Sequence, residues 1–122
     1  MFTICKTFTF EAAHRLPNHD GKCRNIHGHS YKVEVMMTSL LLNVSGPKEG
    51  MVIDFSDLKA IWTAHLEPLL DHQDLNVTLI NAVPVTTAEN LARWIYSQFS
   101  ERVPISAVRV WETATAWAEY RT

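Results

Sequence analysis

The sequence predicts an α+β fold in which an antiparallel sheet carries two helices on one face. Two observations support this prediction. Apolar and polar residues alternate near both ends of the chain, which is the period of a strand, and the segment between them shows helical spacing with capping residues. With 122 residues, the chain can bury one modest hydrophobic core, so we expect residues 1–122 to form a single domain.

The N-terminal strands are predicted by residues that alternate between two faces. Phe8 and Phe10 lie on the apolar face of a first strand that reaches Ala12 or His14. A second long strand is expected over residues 29–44. A loop rich in Gly and Pro then leads to a short strand over residues 51–53.

The first helix should begin at Asp54 or Ser56, because either side chain can cap a helix N-terminus. Pro68 should end or bend this helix near Glu67, since proline removes a backbone donor and clashes with the preceding turn. The residues at helical spacing are predicted to form its buried stripe: Leu58, Ile61, Trp62, His65, Leu66 and Leu69. We expect His65 to lie in the core or at an interface.

A second helix follows a loop that we place over residues 70–85. Thr86 and Glu89 have the spacing of a capping box, in which a threonine and a glutamate satisfy each other's backbone donors. The helix is expected to run to about Arg102, ahead of a proline. Its buried stripe is predicted to be Leu91, Trp94, Ile95 and Phe99.

Two further strands, over residues 107–112 and 116–121, complete the predicted sheet. Glu112 falls on the same face as Val108 and Val110, where an apolar residue is expected. A carboxylate on an inward face needs a partner. That partner is either an arginine in a structural ion pair or a ligand with two parallel N–H donors, and the sequence leaves both open.

Composition and charge exclude several classes of protein. The net charge of −2 argues against a nucleic-acid-binding protein, which usually carries a basic stripe. No stretch approaches the roughly 20 apolar residues of a membrane span. The two cysteines, Cys5 and Cys23, are expected to be reduced thiols, because a chain of this length with a normal core needs no disulfide. We therefore expect a cytoplasmic protein.

A cluster of histidines is the strongest chemical signal. His27 and His29 are two residues apart on a predicted strand, so their side chains point to the same face. His14, at the end of the first strand, is a candidate third ligand, and His19 is a weaker competitor. Three imidazoles with an open fourth position are typical of catalytic zinc. For the strand pair alone, the alternative is two ordinary exposed histidines.

Two further candidates could transfer protons. Cys23 is flanked by Lys22 and Arg24, and cations favour the thiolate form of a cysteine. Asp71 and His72 follow the first helix, where a carboxylate could orient an imidazole for proton transfer. Taken singly, each has an ordinary explanation: an unreactive loop cysteine, and an acidic residue beside a histidine by chance.

Together these segments resemble the 6-pyruvoyl-tetrahydropterin synthase family, in the family's order and over nearly the whole chain. The resemblance rests on FEAAHRL, CRNIHGH, GMVIDF with DLK, LDH, LN, TAENLA and ET, at residues 10–16, 23–29, 50–55 with 57–59, 70–72, 75–76, 87–92 and 112–113, with Tyr120 near the end. It implies the tunnelling fold, in which a four-stranded antiparallel sheet with two helices on one face closes into a barrel with neighbouring subunits. Trimers, and hexamers made of two trimers, are the implied homo-oligomers.

The resemblance also implies roles for individual residues. Zinc would be held by His14, His27 and His29. The catalytic groups would be Cys23, as a thiolate, with Asp71 and His72 as a second proton-transfer pair. The pterin ring would be bound by Glu112, with further contacts from Thr87 and Thr113.

The implied substrate is the small molecule 7,8-dihydroneopterin triphosphate, and the family divides by product. One branch releases triphosphate and acetaldehyde and leaves 6-carboxy-5,6,7,8-tetrahydropterin, on the route to queuosine and other 7-deazapurines. The other eliminates triphosphate and rearranges to 6-pyruvoyl-tetrahydropterin. Cys23 precedes His27 by four positions, and in this family that short spacing is typical of the carboxy branch. We therefore expect the carboxy-forming lyase, with the pyruvoyl-forming enzyme as the alternative.

Overall fold

A computed structural model describes all residues from 1 to 122. The strands are β1 (Phe2–His14), β2 (His27–Ser39), β3 (Gln73–Asp74), β4 (Ala107–Thr113) and β5 (Ala116–Arg121). The helices are α1 (Phe55–Ile61), α2 (Glu67–Leu70), α3 (Leu75–Thr78) and α4 (Ala88–Ser100). None of these helices has both the length and the apolar character needed to cross a membrane.

The strands form one mixed sheet in the order β3-β1-β2-β4-β5. The four long strands pair with one another antiparallel, and a fifth strand is added at the edge. This strand, β3, runs parallel to β1 and pairs Ala12 with Gln73. The predicted four-stranded sheet therefore omits one strand. A strand of only two residues, such as β3, is too short to show the alternation by which a strand is identified in a sequence.

One face of the sheet forms the core, and the helices cover it. In the β1–β2 register Phe10 stands opposite Tyr31, and their rings stack with centroids 4.6 Å apart. Phe8 stacks on Trp62 from the helical layer, with centroids 4.7 Å apart. The other face of the sheet carries the polar set of β1, including Cys5. The alternation read from the sequence is therefore the inside–outside pattern of the sheet.

The first predicted helix is longer than expected. Asp54 caps α1 by accepting a hydrogen bond from the Ser56 backbone N–H at 2.9 Å. A π-helical turn over Trp62–Leu66 then joins α1 to α2, and Pro68 lies in the first turn of α2, where its missing donor costs little. His65 and Leu69 are exposed, so placing them in the buried stripe was wrong. The buried residues repeat every four positions: Leu58, Trp62, Leu66 and Leu70.

The start of the second predicted helix shifts by one residue. Thr87, rather than Thr86, is the N-cap of α4, and its hydroxyl accepts from the Asn90 backbone N–H at 3.2 Å. Thr86 is instead fully buried. The helix ends at Ser100, two residues before the predicted end. The stripe is as predicted except for a half-buried tryptophan: Leu91, Ile95 and Phe99 are fully buried, and Trp94 is partly exposed.

The segments around the two predicted loops also differ from the prediction. β2 ends at Ser39 and not near residue 44, and the short strand predicted over residues 51–53 does not form. The chain between them folds back through backbone hydrogen bonds from Asn43 to Met51 at 3.0 Å and from Gly50 to Asn43 at 2.9 Å. In the segment 70–85, predicted as a loop, β3 and α3 occur instead. Both elements are very short, so neither repeats its pattern often enough to be recognised in a sequence.

Candidate active site

Strand pairing brings three histidines together at one end of the sheet. His14 ends β1 and stands opposite His27 at the start of β2, while His29 stands opposite Ala12. All three side chains therefore emerge on the inner face. The ring centroids of His14 and His27 are 4.7 Å apart, those of His27 and His29 4.8 Å, and those of His14 and His29 5.2 Å. His19, the weaker candidate, lies outside this cluster and accepts a hydrogen bond from the Gly21 N–H.

Glu112 of β4 completes the cluster. Its Oε1 lies 3.2 Å from Nε2 of His14 and 3.2 Å from Nε2 of His29. One ligand atom from each of the four residues falls within 4.8 Å of the others. The sequence left open an ion pair between Glu112 and an arginine, and no such pair is present. The neighbouring His14 side chain, and next that of His29, hold the pKa of the Glu112 carboxyl below its usual value, although burial acts in the opposite direction.

The hydrogen bonds behind the rings fix which nitrogen carries the proton. His27 Nδ1 lies 2.8 Å from the Asn25 carbonyl oxygen, and His14 Nδ1 lies 2.9 Å from the Thr86 carbonyl oxygen. A carbonyl oxygen only accepts, so each Nδ1 must donate. In the neutral ring, Nε2 then carries a lone pair directed into the cluster.

The ring nitrogens that face this cluster fit a cation. Nε2 of His14 and Nε2 of His29 are buried and have no hydrogen-bond partner of acceptable geometry, although both lie close to the carboxylate of Glu112. Buried acceptors that face one another are unfavourable unless a positive group lies between them. Burial also lowers the pKa of His29, which favours the neutral, metal-binding form. Three imidazoles suit zinc, so the residues fit a zinc ion.

Asp71 and His72 are attached to β1 by a pair of hydrogen bonds. The Glu11 backbone N–H donates to Asp71 Oδ1 at 3.0 Å, and the His72 N–H donates to the Glu11 carbonyl at 2.6 Å. Asp71 Oδ2 lies 2.9 Å from His72 Nδ1. The Glu11 N–H, and next the His72 side chain, hold the pKa of Asp71 below its usual value. The carboxylate therefore remains charged and orients the imidazole.

The backbone of His72 is unusual and places its ring at the rim of a groove. His72 has φ of 58°, which is the left-handed region and is uncommon for residues other than glycine. Such conformations often occur at functional sites. The imidazole is largely exposed and, with His29, lines an open groove of about 590 Å³. One member of the predicted proton-transfer pair, His72, and one member of the histidine cluster, His29, therefore border the same groove.

Cys23 lies in a single 3₁₀ turn, Lys22–Arg24, between β1 and β2. The Leu16 N–H donates to the Cys23 carbonyl at 2.7 Å, which ties this turn to the chain two residues beyond His14. Both cysteines of the chain are free thiols. Cys23 is therefore held at the end of the sheet that carries the histidine cluster, in a segment that is not part of a strand.

The two remaining predicted contacts, Thr87 and Thr113, have local structural partners. Thr87 caps α4 as described, and Thr113 Oγ1 accepts from the Thr115 N–H at 3.3 Å in the turn between β4 and β5.

No role was predicted from the sequence for Asn76, whose side chain forms two hydrogen bonds with the backbone of the residue after His14. Its side-chain oxygen accepts from the Arg15 N–H at 2.8 Å, and its amide donates to the Arg15 carbonyl at 2.9 Å.

Tyr31 forms part of the wall of the cluster. Its ring centroid lies 5.4 Å from that of His29 and 6.0 Å from that of His14. The side chain is almost fully buried, and its hydroxyl has no hydrogen-bond partner. Burial first, and the Glu112 carboxylate second, raise the pKa of the Tyr31 hydroxyl. The group is therefore neutral and unsatisfied within the fold.

Tyr31→Phe should leave the metal-free protein as stable as wild type or increase its free energy of unfolding by about 1 kcal/mol, because it removes a buried unsatisfied group. Tyr96→Phe is the matched control, since the Tyr96 hydroxyl donates to the Ile105 carbonyl at 3.4 Å. That variant should lose about 0.5–1 kcal/mol. Urea unfolding of the chelator-treated proteins measures both. A larger loss for Tyr31→Phe than for Tyr96→Phe would show that the Tyr31 hydroxyl is satisfied.

The chain is similar to known proteins over nearly its whole length. A family model described as 6-pyruvoyl tetrahydropterin synthase matches residues 3–122. A Synechocystis protein named 6-carboxy-5,6,7,8-tetrahydropterin synthase is 47% identical over 126 residues, covering 98% of this chain and 93% of the relative. A Haemophilus influenzae protein of the same name is 40% identical over 141 residues, covering 99% of each.

The fold is also similar to a solved structure. The Caenorhabditis elegans 6-pyruvoyl tetrahydropterin synthase superimposes with a TM-score of 0.82 at 27% identity, covering 99% of this chain and 95% of that one. The similarity includes the long strands and the helical layer, because almost the whole of both chains is covered.

Proposed function

Because the chain belongs to the 6-pyruvoyl tetrahydropterin synthase family, we propose that it converts 7,8-dihydroneopterin triphosphate and water to 6-carboxy-5,6,7,8-tetrahydropterin, acetaldehyde and triphosphate. It is a lyase. The observation that carries the proposal is the cluster of His14, His27 and His29, whose ligand atoms converge beside Glu112. Two relatives named for the carboxy product, at 40% and 47% identity, favour that branch over the pyruvoyl branch.

Zinc is the proposed metal, held by His14, His27 and His29. The unpartnered Nε2 atoms of His14 and His29 support this assignment. Bound zinc would act as a Lewis acid on the oxygens of the substrate side chain and make neighbouring C–H and O–H groups more acidic. Pterin binding is assigned to Glu112, whose two carboxylate oxygens match the adjacent N–H donors of the ring. Thr87 and Thr113 are proposed to add contacts to the ring.

The protein's own groups would move the protons. Cys23 is proposed to accept a proton at Sγ as a thiolate, since its turn lies at the same end of the sheet as the cluster. His72 would exchange the second proton at Nε2, because its Nδ1 faces Asp71 Oδ2 at 2.9 Å. Asp71 keeps the ring in this orientation. Two separate groups allow one proton to be removed and another delivered without exchange between them.

Residues 1–122 are proposed to form one catalytic domain that works as a homo-oligomer in the cytoplasm. The sheet is open, with β3 and β5 at its edges, and unpaired strand edges favour pairing with another chain. Trimers that close the sheets into a barrel, and pairs of such trimers, would satisfy these edges. The substrate is a small molecule, with no nucleic acid or membrane as a partner, and the product would enter queuosine and other 7-deazapurine synthesis.

A test of the function uses purified protein and 7,8-dihydroneopterin triphosphate. We expect substrate to be consumed with release of acetaldehyde, activity to stop after chelator treatment, and activity to return when Zn²⁺ is added. Triphosphate release without acetaldehyde would favour the pyruvoyl-forming alternative. Full turnover by protein shown to be free of metal would contradict the zinc assignment.

A further inference from the structure

Thr86 is a buried polar residue whose predicted role as a helix cap is taken by Thr87. It is fully buried, and His14 is the only other polar residue buried to this extent. Two oxygens of Thr86 converge on one nitrogen of that histidine. His14 Nδ1 lies 2.9 Å from the Thr86 carbonyl oxygen and 3.1 Å from Thr86 Oγ1. Two buried polar residues from distant parts of the chain therefore satisfy each other.

The chemistry of these atoms determines the direction of the interaction. The Thr86 carbonyl oxygen only accepts, so the hydrogen must be on His14 Nδ1, and Thr86 Oγ1 then accepts from the same N–H. The neutral ring consequently carries its lone pair on Nε2. This is the nitrogen that lies 3.2 Å from Glu112 Oε1 and has no hydrogen-bond partner.

The local structure holds Thr86 firmly on both sides. Val85 accepts a hydrogen bond from the Asn90 side-chain amide at 2.9 Å, and Thr87 accepts from the Asn90 backbone N–H at 3.2 Å. Thr86 is thus fixed by the first turn of α4, whereas His14 comes from β1. His27 Nδ1 also donates to a backbone carbonyl, but that carbonyl belongs to Asn25, only two residues away in the chain. Of these two hydrogen bonds, only the one from His14 connects the helical layer to the sheet.

We propose that Thr86 is a positioning residue that fixes the tautomer and ring orientation of His14, so that Nε2 is presented to the metal. This inference rests on the proposed zinc site. Partners of this kind behind a ligating histidine typically change metal affinity by about 10- to 100-fold when they are removed. The start of α4 would then be coupled to the metal through one hydrogen-bonded ring.

Zinc affinity of four proteins tests the proposal: wild type, Thr86→Val, Thr86→Ser and Thr87→Val. Competition with a chromophoric chelator should give about tenfold weaker Zn²⁺ binding for Thr86→Val. Valine also places a methyl group where Oγ1 lies 3.1 Å from Nδ1. Thr86→Ser, which keeps the hydroxyl, should bind within about twofold of wild type. Thr87→Val removes the helix cap and the proposed ring contact but no group that touches His14, so it should lower stability, not zinc affinity.

A spectroscopic measurement separates positioning from a merely structural effect. With Co²⁺ in place of zinc, the visible absorption bands should shift in Thr86→Val and return to the wild-type position in Thr86→Ser. Equal zinc affinity and identical bands for wild type and Thr86→Val would overturn the role of the Thr86 hydroxyl, while the zinc site itself would stand. If wild type binds no zinc, the proposed metal site fails.

The tautomer can also be tested without any variant or metal. In metal-free wild-type protein, ¹⁵N–¹H correlation spectra of the imidazoles should show the His14 proton on Nδ1. A proton on Nε2 would overturn the proposal whether or not zinc binds, because the Thr86 oxygens would then have no hydrogen to accept. This measurement decides the question even if Thr86→Val fails to fold.

Discussion

Replacing Cys23 with alanine should lower kcat by about 10²- to 10⁴-fold, which is the usual contribution of a positioned acid or base. The side chain is small and its turn is anchored through backbone atoms, notably the bond from the Leu16 N–H to the Cys23 carbonyl. The fold and the zinc content should therefore be unchanged. Steady-state kinetics with 7,8-dihydroneopterin triphosphate, together with elemental analysis, measure both.

Cys5→Ala is the matched control, because it removes the other thiol of the chain. Cys5 lies on the polar face of β1, away from the histidine cluster, and its Sγ lies 3.8 Å from Glu34 Oε2. We expect this variant to keep wild-type kcat. Full activity of Cys23→Ala would show that the catalytic thiolate is assigned wrongly, whichever product is formed. Equal losses in both cysteine variants would point to a general effect on the fold.

Replacing His27 with alanine should abolish both zinc binding and turnover. His27 supplies one of three imidazoles, and its ring is held by a 2.8 Å hydrogen bond to the Asn25 carbonyl. Its removal leaves two imidazoles beside Glu112, which is proposed to bind the pterin and not the metal. Elemental analysis should give about one zinc per wild-type subunit, as expected for a site with three protein ligands. The variant should contain almost none after the same purification.

His65→Ala is the control for this experiment. His65 is an exposed helical residue outside the cluster, so its loss should change neither metal content nor kcat. Substoichiometric zinc in wild type would be resolved by adding Zn²⁺ and removing the excess by gel filtration. A His27→Ala protein that still holds a full equivalent of zinc would exclude the three-histidine site.

Local patterns predict the parts of this fold that repeat. Alternation over β1 and β2 gives the correct faces, and so places His27 and His29 on the side that faces the core. Helical spacing similarly identifies the buried stripe of α4. These predictions succeed because strands and helices longer than a few residues repeat their pattern several times.

The remaining features depend on contacts between distant residues. Nothing near Thr86 in the sequence indicates that it is buried against His14, 72 positions away, so the threonine is easily mistaken for a helix cap. The π-helical turn before α2 depends on packing against the sheet, where the aromatic ring of Trp62 stacks on Phe8. Likewise, Glu112 was expected to have a partner, but only the folded sheet shows that its Oε1 lies 3.2 Å from Nε2 of both His14 and His29.

The ratio of acetaldehyde to triphosphate released from 7,8-dihydroneopterin triphosphate tests the central claim most directly. Cleavage of the side chain that leaves 6-carboxy-5,6,7,8-tetrahydropterin must release one acetaldehyde for each triphosphate. We predict a ratio of one throughout the reaction with the zinc-loaded protein. Triphosphate formed without acetaldehyde would contradict the proposed carbon–carbon bond cleavage.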